Sequence, residues 1–230
     1  MGLFSYFTVS QEPIFYPRRL KYTPIEITEY FEQYLKRNPD SFKLEELLKI
    51  YGENTSFIEY QNESTQKLVD KLGVLSLSTN PNSILMWSHY SHNHTGLLFQ
   101  FTPEKGSSCF EPFYLVDYSD KYNLLSYTSN SKDEIPKLML TKYTDWKYES
   151  EVRMIDLDYQ GEKKFSKNEL TSIIFGALAK DDDITKIIIL CKENGFEHVK
   201  FSQAKLSVGG FSLKYREIIA ENWLLNHNKT

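Results

Sequence analysis

The feature that most constrains the fold is a change in the spacing of apolar residues along the chain. Over residues 24–72, apolar side chains recur at helical spacing, and Pro24 suits the first turn of a helix. The run Asn-Pro-Asp-Ser at residues 38–41 interrupts this pattern. We therefore predict three helices, which cover Pro24 to about Arg37, Leu44 to Tyr51 and Ser64 to Leu72.

Most of the remaining chain consists of short runs rich in β-branched and aromatic residues, separated by turn residues. We predict strands over Leu3–Phe7, Pro13–Tyr16, Val74–Thr79, Gly96–Phe101, Phe113–Tyr118, Glu149–Leu157, Thr171–Phe175, Val199–Lys205 and Phe211–Ile219. Further helices are predicted over Ile84–His92, Lys132–Tyr143 and Asp183–Asn194, and a hairpin turn at Gly209-Gly210. Neither a flexible linker nor a repeat divides the sequence. We therefore predict one α+β domain over residues 1–230, with a central, mostly antiparallel sheet and a helical N-terminal third.

Composition excludes several classes of protein. The 230 residues carry 27 Lys and Arg against 31 Asp and Glu, and the basic residues are scattered, so we expect no basic stripe for nucleic acid. No apolar run approaches the roughly 20 residues of a membrane span, and no secretory signal is visible. The two cysteines are too few for a disulfide framework, so we expect a cytoplasmic setting and no membrane contact.

A histidine-rich segment lies between Met86 and Gly96 and holds three of the five histidines. Such density suggests a metal site, because neutral imidazole is a common metal ligand. On a helix, however, Trp87, Tyr90 and His94 share one face, while His89 points roughly 200° away from Trp87. One metal ion could not easily reach all three histidines, so we predict no metal site.

Two interpretations of this segment stay open. In the first it is a buried helix, with Trp87 and Tyr90 in the core and His94 favoured by the helix dipole in the last turn. In the second, Trp87, His89 and Tyr90 line a pocket in which aromatic rings stack on a ligand and imidazole hydrogen-bonds to it.

A second segment concentrates charge on the strand predicted from residue 149. On a strand, Glu149, Glu151 and Arg153 would share one face. The arginine lowers the pKa of nearby carboxyl groups, so one carboxylate can stay ionised while the other orients a nucleophile. Such a pair suits cleavage of a glycosidic bond, including the nicotinamide–ribose bond of NAD, because a carboxylate stabilises the oxocarbenium-like transition state. The alternative is an exposed ladder of cross-strand salt bridges.

The hydroxyl-rich run Ser76-Leu77-Ser78-Thr79 lies on another predicted strand. Hydroxyl groups on one face of a strand can bind a ribose or orient a catalytic glutamate on a neighbouring strand. The alternative is that these residues are polar positions of an edge strand.

The motifs resemble a widespread bacterial domain of unknown function. That family shares a Met-Trp-x-His-Tyr segment followed by His-x-Gly, and a later Lys-x-x-x-Trp segment that ends in Glu-x-Glu-x-Arg. This chain has the first motif over residues 86–96, the second over residues 142–153 and Ile-Ile-Phe-Gly over residues 173–176. A diverged form of an early family motif lies at residues 15–26, and the resemblance covers about residues 4–190.

A second resemblance is to ADP-ribosyltransferases that carry a Ser-x-Ser-Thr strand and a downstream Glu-x-Glu strand. It implies that Glu151 binds the nicotinamide ribose, that Glu149 activates the acceptor and that Ser78 supports them. Trp87, His89, Tyr90 and Arg153 are the further candidates for contact with NAD, which would be a substrate. The first strand lacks the Arg or His that holds NAD in such enzymes, and Arg18 and Arg19 are the candidates to replace it.

The resemblance therefore predicts an NAD-consuming ADP-ribosyltransferase or glycohydrolase, an effector of the toxin or phage-defence type. Two alternatives remain: a non-catalytic domain that binds a nucleotide or another small ligand, and a structural or partner-binding domain. In the structural alternative, Arg153 and the carboxylates pair with one another and leave no pocket. The sequence does not identify the acceptor or the oligomeric state.

Overall fold

The computed structural model describes residues 4–6, 21–106, 108–121, 139–156 and 161–227. The predicted strand Pro13–Tyr16, residues Arg18 and Arg19, and most of the predicted helix Lys132–Tyr143 lie outside this part of the chain. None of the helices in the described ranges has the length and apolar character needed to cross a bilayer.

The helical N-terminal third is confirmed. Helix α1 spans Pro24–Arg37 and α2 spans Leu44–Tyr51, as predicted. Helix α1 begins with a capping box, in which Thr23 Oγ1 accepts a hydrogen bond from the Glu26 amide and the Glu26 carboxylate accepts one from the Thr23 amide. Helix α3 spans Asn54–Val69 and thus begins earlier than the predicted Ser64.

Aromatic packing explains the early start of α3. Phe57, in its first turns, is buried against Phe31 of α1, and their rings lie 5.8 Å apart in an edge-to-face arrangement. The ring of Tyr60 lies 4.7 Å from that of Tyr51 of α2. These contacts stabilise the start of α3, although its apolar residues do not follow one clear helical stripe.

The sheet has eight strands, of which the first precedes α1 and the others follow α3. Its strands are β1 (Phe4–Tyr6), β2 (Gly73–Ser78), β3 (Leu97–Phe101), β4 (Phe113–Leu115), β7 (Glu151–Asp156), β8 (Leu170–Phe175), β9 (Lys200–Leu206) and β10 (Leu213–Ile218). They lie in the order β10-β9-β8-β3-β1-β2-β7-β4, and only β8 and β9 pair in parallel. The α+β class and the mostly antiparallel sheet are therefore confirmed. Two further strands, β5 (Asp117–Tyr118) and β6 (Thr141–Lys142), form a small parallel sheet.

The helices after β2 cover both faces of the sheet. Helix α5 (Asp181–Glu193) connects the parallel strands β8 and β9, and its Ile184 and Ile188 are buried with Ile173 and Phe175 of β8. Helix α4 (Ile84–Tyr90) packs Met86 and Trp87 with Ile174, which points to the opposite face because side chains alternate along a strand. Helix α6 (Ala220–His227) was not predicted.

Among the predicted elements whose bounds differ from the structure, three differ for a local reason. The strand predicted over Phe113–Tyr118 divides at the buried Val116 into β4 and β5, which pair with different strands. Residues Thr141–Lys142 form β6 and are not helical, since they pair with β5. The helix predicted to reach His92 ends at Tyr90, because residues 92–94 all have positive φ angles.

Candidate functional site

The antiparallel pairing of β2 with β7 brings the hydroxyl-rich run beside the acidic motif. Ser78 lies directly opposite Glu151, and Ser76 lies opposite Arg153. Because side chains directly opposite one another in a sheet lie close together, the register joins two segments that are far apart in sequence. Ser78 and Glu151 are both buried, with relative exposures of 2% and 3%.

Glu149 reaches this site from a short helix, not from a strand. Residues Thr144–Glu149 form a 3₁₀ helix, and Ser150 then has a φ of 47°, which turns the chain into β7. The prediction that Glu149 shares a strand face with Glu151 and Arg153 is therefore wrong, because the strand begins at Glu151. The two carboxylates are nevertheless brought together by a common cation.

Hydroxyl groups at the end of β2 hold the turn between the two glutamates. Ser78 Oγ donates a hydrogen bond to the carbonyl oxygen of Glu149 at 2.6 Å, and the Asn80 amide donates to Ser78 Oγ at 3.1 Å. The amide and hydroxyl of Thr79 both donate to the carbonyl oxygen of Ser150 at 3.0 Å. Ser78 thus contacts the backbone of Glu149 and fixes its position.

Lys142, Glu149, Glu151 and Arg153 form a buried group of ion pairs, here named the charge cluster. Lys142 Nζ lies 2.5 Å from Glu149 Oε2 and 3.5 Å from Glu151 Oε2. Arg153 donates from Nε to Glu151 Oε1 at 2.8 Å and from Nη2 to Glu151 Oε2 at 3.0 Å. Arg153 Nη1 also donates to the carbonyl oxygen of Met139. Two cations thus match two carboxylates, in the interior and not in an exposed ladder.

The cluster changes the pKa of Glu151. Burial raises the pKa of Glu151, but the hydrogen bonds and charge of Arg153, with smaller effects of Ser76 and Lys142, outweigh burial and leave the pKa below its ordinary value. The Glu151 amide donates to the hydroxyl of Tyr118 at 2.9 Å, and burial raises the pKa of Tyr118 to about 12. At neutral pH Glu151 is therefore ionised and Tyr118 is neutral.

Helix α4 contributes to the site with its last turn. Tyr90 donates its hydroxyl proton to Glu149 Oε1 at 2.6 Å, so this predicted site residue contacts the charge cluster directly. His89 is exposed, and its Nδ1 lies 2.9 Å from the hydroxyl oxygen of Tyr148. Trp87 is fully buried and donates from Nε1 to the carbonyl oxygen of Pro81 at 2.8 Å. Trp87 thus lies in the core, as the interpretation of this segment as a buried helix predicts. Tyr90 links the core to the charge cluster, and His89 lies at the protein surface.

His94 and Gly96 have a structural environment. The carbonyl oxygens of both residues accept hydrogen bonds, from Leu178 at 2.9 Å and from Gly176 at 2.8 Å. A Cβ atom at Gly176 would lie 2.1 Å from the His94 carbonyl oxygen, so only glycine fits there. Burial also lowers the pKa of His94. Within the described ranges, no group of three or more His, Cys, Asp or Glu side chains could hold a metal ion.

Sequence reasoning gave no role to three residues that complete the site. Lys142 and Trp146 belong to the second motif, and the ammonium group of Lys142 lies 4.9 Å from the centre of the Trp146 ring. The lysine could have been found from its place in that motif. Tyr118 carries no signal, because its contact with Glu151 depends on the small sheet formed by β5 and β6.

Comparison with known proteins supports only the family resemblance. No curated protein and no solved structure matches the chain. Residues 86–154, which extend from α4 into β7, match a family described as a protein of unknown function, DUF2971. The resemblance to a domain of unknown function is thus confirmed over this segment of the chain.

Proposed function

We propose that the chain cleaves the bond between nicotinamide and ribose in NAD, as an ADP-ribosyltransferase or an NAD glycohydrolase. The observation that carries the proposal is the meeting of Ser78, Glu149 and Glu151. Ser78 of β2 lies opposite Glu151 of the neighbouring strand β7. Its hydroxyl group donates a hydrogen bond to the backbone of Glu149 at 2.6 Å. This is the set of side chains that the resemblance to ADP-ribosyltransferases implies.

The proposed reaction gives each carboxylate a role. The glycosidic C–N bond breaks, nicotinamide leaves with the bonding electron pair, and positive charge develops on the ribose. Glu151 stabilises this charge, since its lowered pKa keeps it ionised at neutral pH. The acceptor oxygen then bonds to the ribose carbon, and Glu149 takes its proton. In a glycohydrolase that acceptor is water.

Tyr90 and His89 support the proposal from the opposite side of the site. Tyr90 holds one oxygen of Glu149, which leaves the orientation of that carboxylate fixed. The exposed ring of His89 and the half-buried ring of Tyr148 lie edge to face, with their centroids 5.7 Å apart. His89 directly precedes Tyr90, and Tyr148 directly precedes Glu149. Such a pair is a surface on which a planar ring, such as nicotinamide or adenine, can stack.

The pairing within the charge cluster favours a second candidate function, a structural domain without catalysis. Both oxygens of Glu151 already accept hydrogen bonds from Arg153, at 2.8 and 3.0 Å. A substrate hydroxyl must therefore share Glu151 with the guanidinium group. In the structural alternative the cluster only joins β7 to β6, and Glu151 has no role in turnover.

Release of free nicotinamide from NAD separates the two candidates. The wild-type protein is compared with Glu151→Gln, with and without a bacterial lysate as a source of acceptor. We expect the substitution to lower the rate by about 100-fold or more, because it removes the charge that stabilises the transition state. A parallel measurement follows the change in melting temperature on addition of NAD.

Glu169→Gln is the matched control. Glu169 is as buried as Glu149, at 1% exposure, but its carboxylate accepts hydrogen bonds from the amides of Glu104 and Ser166 and lies beside β8. The control should keep the wild-type rate per folded molecule. A folded wild-type protein with neither nicotinamide release nor an NAD-induced shift in melting temperature would favour the structural domain. A shift without release would favour a binding domain.

The effector role gives a test in cells. If the protein is a toxin or a phage-defence effector, its expression in bacteria should deplete NAD and slow growth. Glu151→Gln, expressed to the same level, should leave the NAD concentration unchanged. Growth inhibition of equal strength by both proteins would contradict the proposed role of NAD cleavage.

A further inference from the structure

We infer that Lys142 is the positioning residue of this site: its ammonium group holds the Glu149 carboxylate in the orientation that the proposed reaction needs. The inference rests on the proposed function. It adds a residue that contacts neither the substrate nor the reacting atoms, but acts through Glu149.

The backbone around Lys142 is fixed by the small sheet. Strand β6 pairs in parallel with β5, with Tyr118 beside Lys142. The Ser119 amide donates to the carbonyl oxygen of Lys142 at 2.9 Å. The side chain is only 7% exposed, and its Nζ atom lies over the ring of Trp146, 4.9 Å from the ring centre. Both the backbone and the ammonium group of Lys142 are therefore held in place.

The two carboxylates depend on Lys142 to different degrees. Glu151 has a second cation, because Arg153 binds both of its oxygens. Among the described residues, Lys142 is the only cation within ion-pair distance of Glu149, at 2.5 Å. The other side-chain partner of Glu149 is the neutral hydroxyl group of Tyr90. Loss of Lys142 would thus leave Glu149 buried without a cation, whereas Glu151 would keep one.

The groups that face Lys142 and Glu149 come from every neighbouring element. They are Tyr90 from α4, Tyr118 from β5, Trp146 from the 3₁₀ helix, and Glu151 and Arg153 from β7. None of them except Arg153 is a cation, and Arg153 is already bound to Glu151. A buried carboxylate without a cation is strongly disfavoured, so it takes up a proton. A protonated Glu149 could not accept the proton of the acceptor.

The first measurement is the pH dependence of stability, for which NAD is not needed. Unfolding of the wild type and of Lys142→Met is followed from about pH 5 to about pH 9. We expect the stability deficit of Lys142→Met to grow as pH rises, because its native state binds a proton that the unfolded chain releases. In the double variant Lys142→Met/Glu149→Gln the Glu149 carboxylate that binds that proton is absent, so the pH dependence should return to that of the wild type. Lys147→Met, an exposed position on the same 3₁₀ helix, is the control.

The second measurement is the pH profile of nicotinamide release. For Lys142→Met we expect the acid limb to move up by about one to three pH units, the range by which a nearby opposite charge shifts a carboxyl group. The maximal rate should fall while KM for NAD stays within about twofold, because Lys142 does not contact the substrate. Lys142→Arg keeps the cation and should keep the acid limb of the wild type.

The outcomes separate this inference from the proposed function. Release by the wild type together with an unmoved acid limb in Lys142→Met overturns the role of Lys142 alone. If Lys142→Met does not fold, a moved acid limb in Lys142→Arg overturns it instead. A wild-type protein that releases no nicotinamide overturns both the proposed function and the positioning role, and the stability data then describe an ion pair only.

Discussion

The charge cluster and the turn that holds Glu169 both bury carboxylates, but they satisfy them in different ways. In the cluster, Glu149 and Glu151 are held by side-chain cations from β6 and β7. In the turn, Glu169 accepts hydrogen bonds from two backbone amides, those of Glu104 at 3.0 Å and Ser166 at 2.9 Å, and its own carbonyl oxygen accepts one from Thr102. The Glu169 carboxylate is therefore satisfied by backbone amides, whereas the carboxylates of the cluster are satisfied mainly by side-chain charges.

This difference is the reason why we assign the proposed chemistry to the charge cluster and not to Glu169. A buried ion pair is weak evidence for stability, because removal from water offsets most of the attraction between the charges. A turn can bury a carboxylate with amides alone, as Glu169 shows. The cluster instead gathers two carboxylates, two cations and the hydroxyl group of Tyr90 at one point. Such a concentration of titratable groups is typical of functional sites.

Removal of Arg153 should produce the largest effect on stability. Arg153→Met leaves Glu151 with one cation at 3.5 Å and deprives the Met139 carbonyl oxygen of its donor, so we expect a loss of about 3–5 kcal/mol in the free energy of unfolding. Urea denaturation at neutral pH measures this loss. Lys214→Met, at an exposed position of β10, should cost less than about 0.5 kcal/mol. If both substitutions have similar small effects, the cluster is solvated and the comparison with Glu169 fails.

Glu169→Gln should have an intermediate effect on stability. Glutamine keeps one acceptor oxygen but directs an amide group at a backbone N–H donor, so one buried hydrogen bond is lost, at about 1–3 kcal/mol. The measurement is the same urea denaturation, with nicotinamide release as a second readout. Loss of stability with an unchanged rate per folded molecule would sharpen the comparison. A rate reduced as strongly as in Glu151→Gln would mean that the two sites are not independent.

The elements of the fold that sequence predicted well are those whose signals are local. Helix α1 has a proline at its start, a capping box and a regular apolar stripe, and its predicted bounds match the structure. The strands β2 and β3 likewise follow from alternation and composition over short windows. Helix α6 was not predicted. Its Trp223 donates a hydrogen bond from Nε1 to the hydroxyl group of Thr185 on α5, and such a tertiary contact leaves no signal in the local sequence.

The sequence identifies Glu149, Glu151 and Arg153 of the charge cluster as candidates, but not the role of Lys142 or the geometry that joins the four residues. The register of β2 with β7, which brings Ser78 beside Glu151, is set by pairing between residues more than seventy positions apart, and no local pattern encodes it. The turn at Ser150, with a positive φ angle, moves Glu149 off the strand, and the sequence has no glycine there to signal it. Lys142 belongs to the second motif, yet its contact with two glutamates depends on the position of β6.

The pH dependence of stability should show the smallest of the three effects. Arg153 holds the pKa of Glu151 below its ordinary value of about 4.5 despite burial, so the native state releases this proton at a lower pH than the unfolded chain. The stabilisation by ionised Glu151 is thus complete above about pH 4.5 and is lost as pH falls through the lower native pKa. We expect the stability advantage of the wild type over Glu151→Gln to be constant near neutral pH and to shrink below about pH 4.5, as measured by thermal unfolding over that range.

The same experiment on Ser76→Ala sharpens this prediction. The Ser76 side chain also lowers the pKa of Glu151, so its removal should move the loss of stability to a higher pH, by less than the removal of Arg153 would. A stability difference between the wild type and Glu151→Gln that does not change with pH would contradict the prediction. Glu151 would then be held, like Glu169, by hydrogen bonds that do not require its charge, and the cluster would lose the electrostatic property on which the proposed chemistry depends.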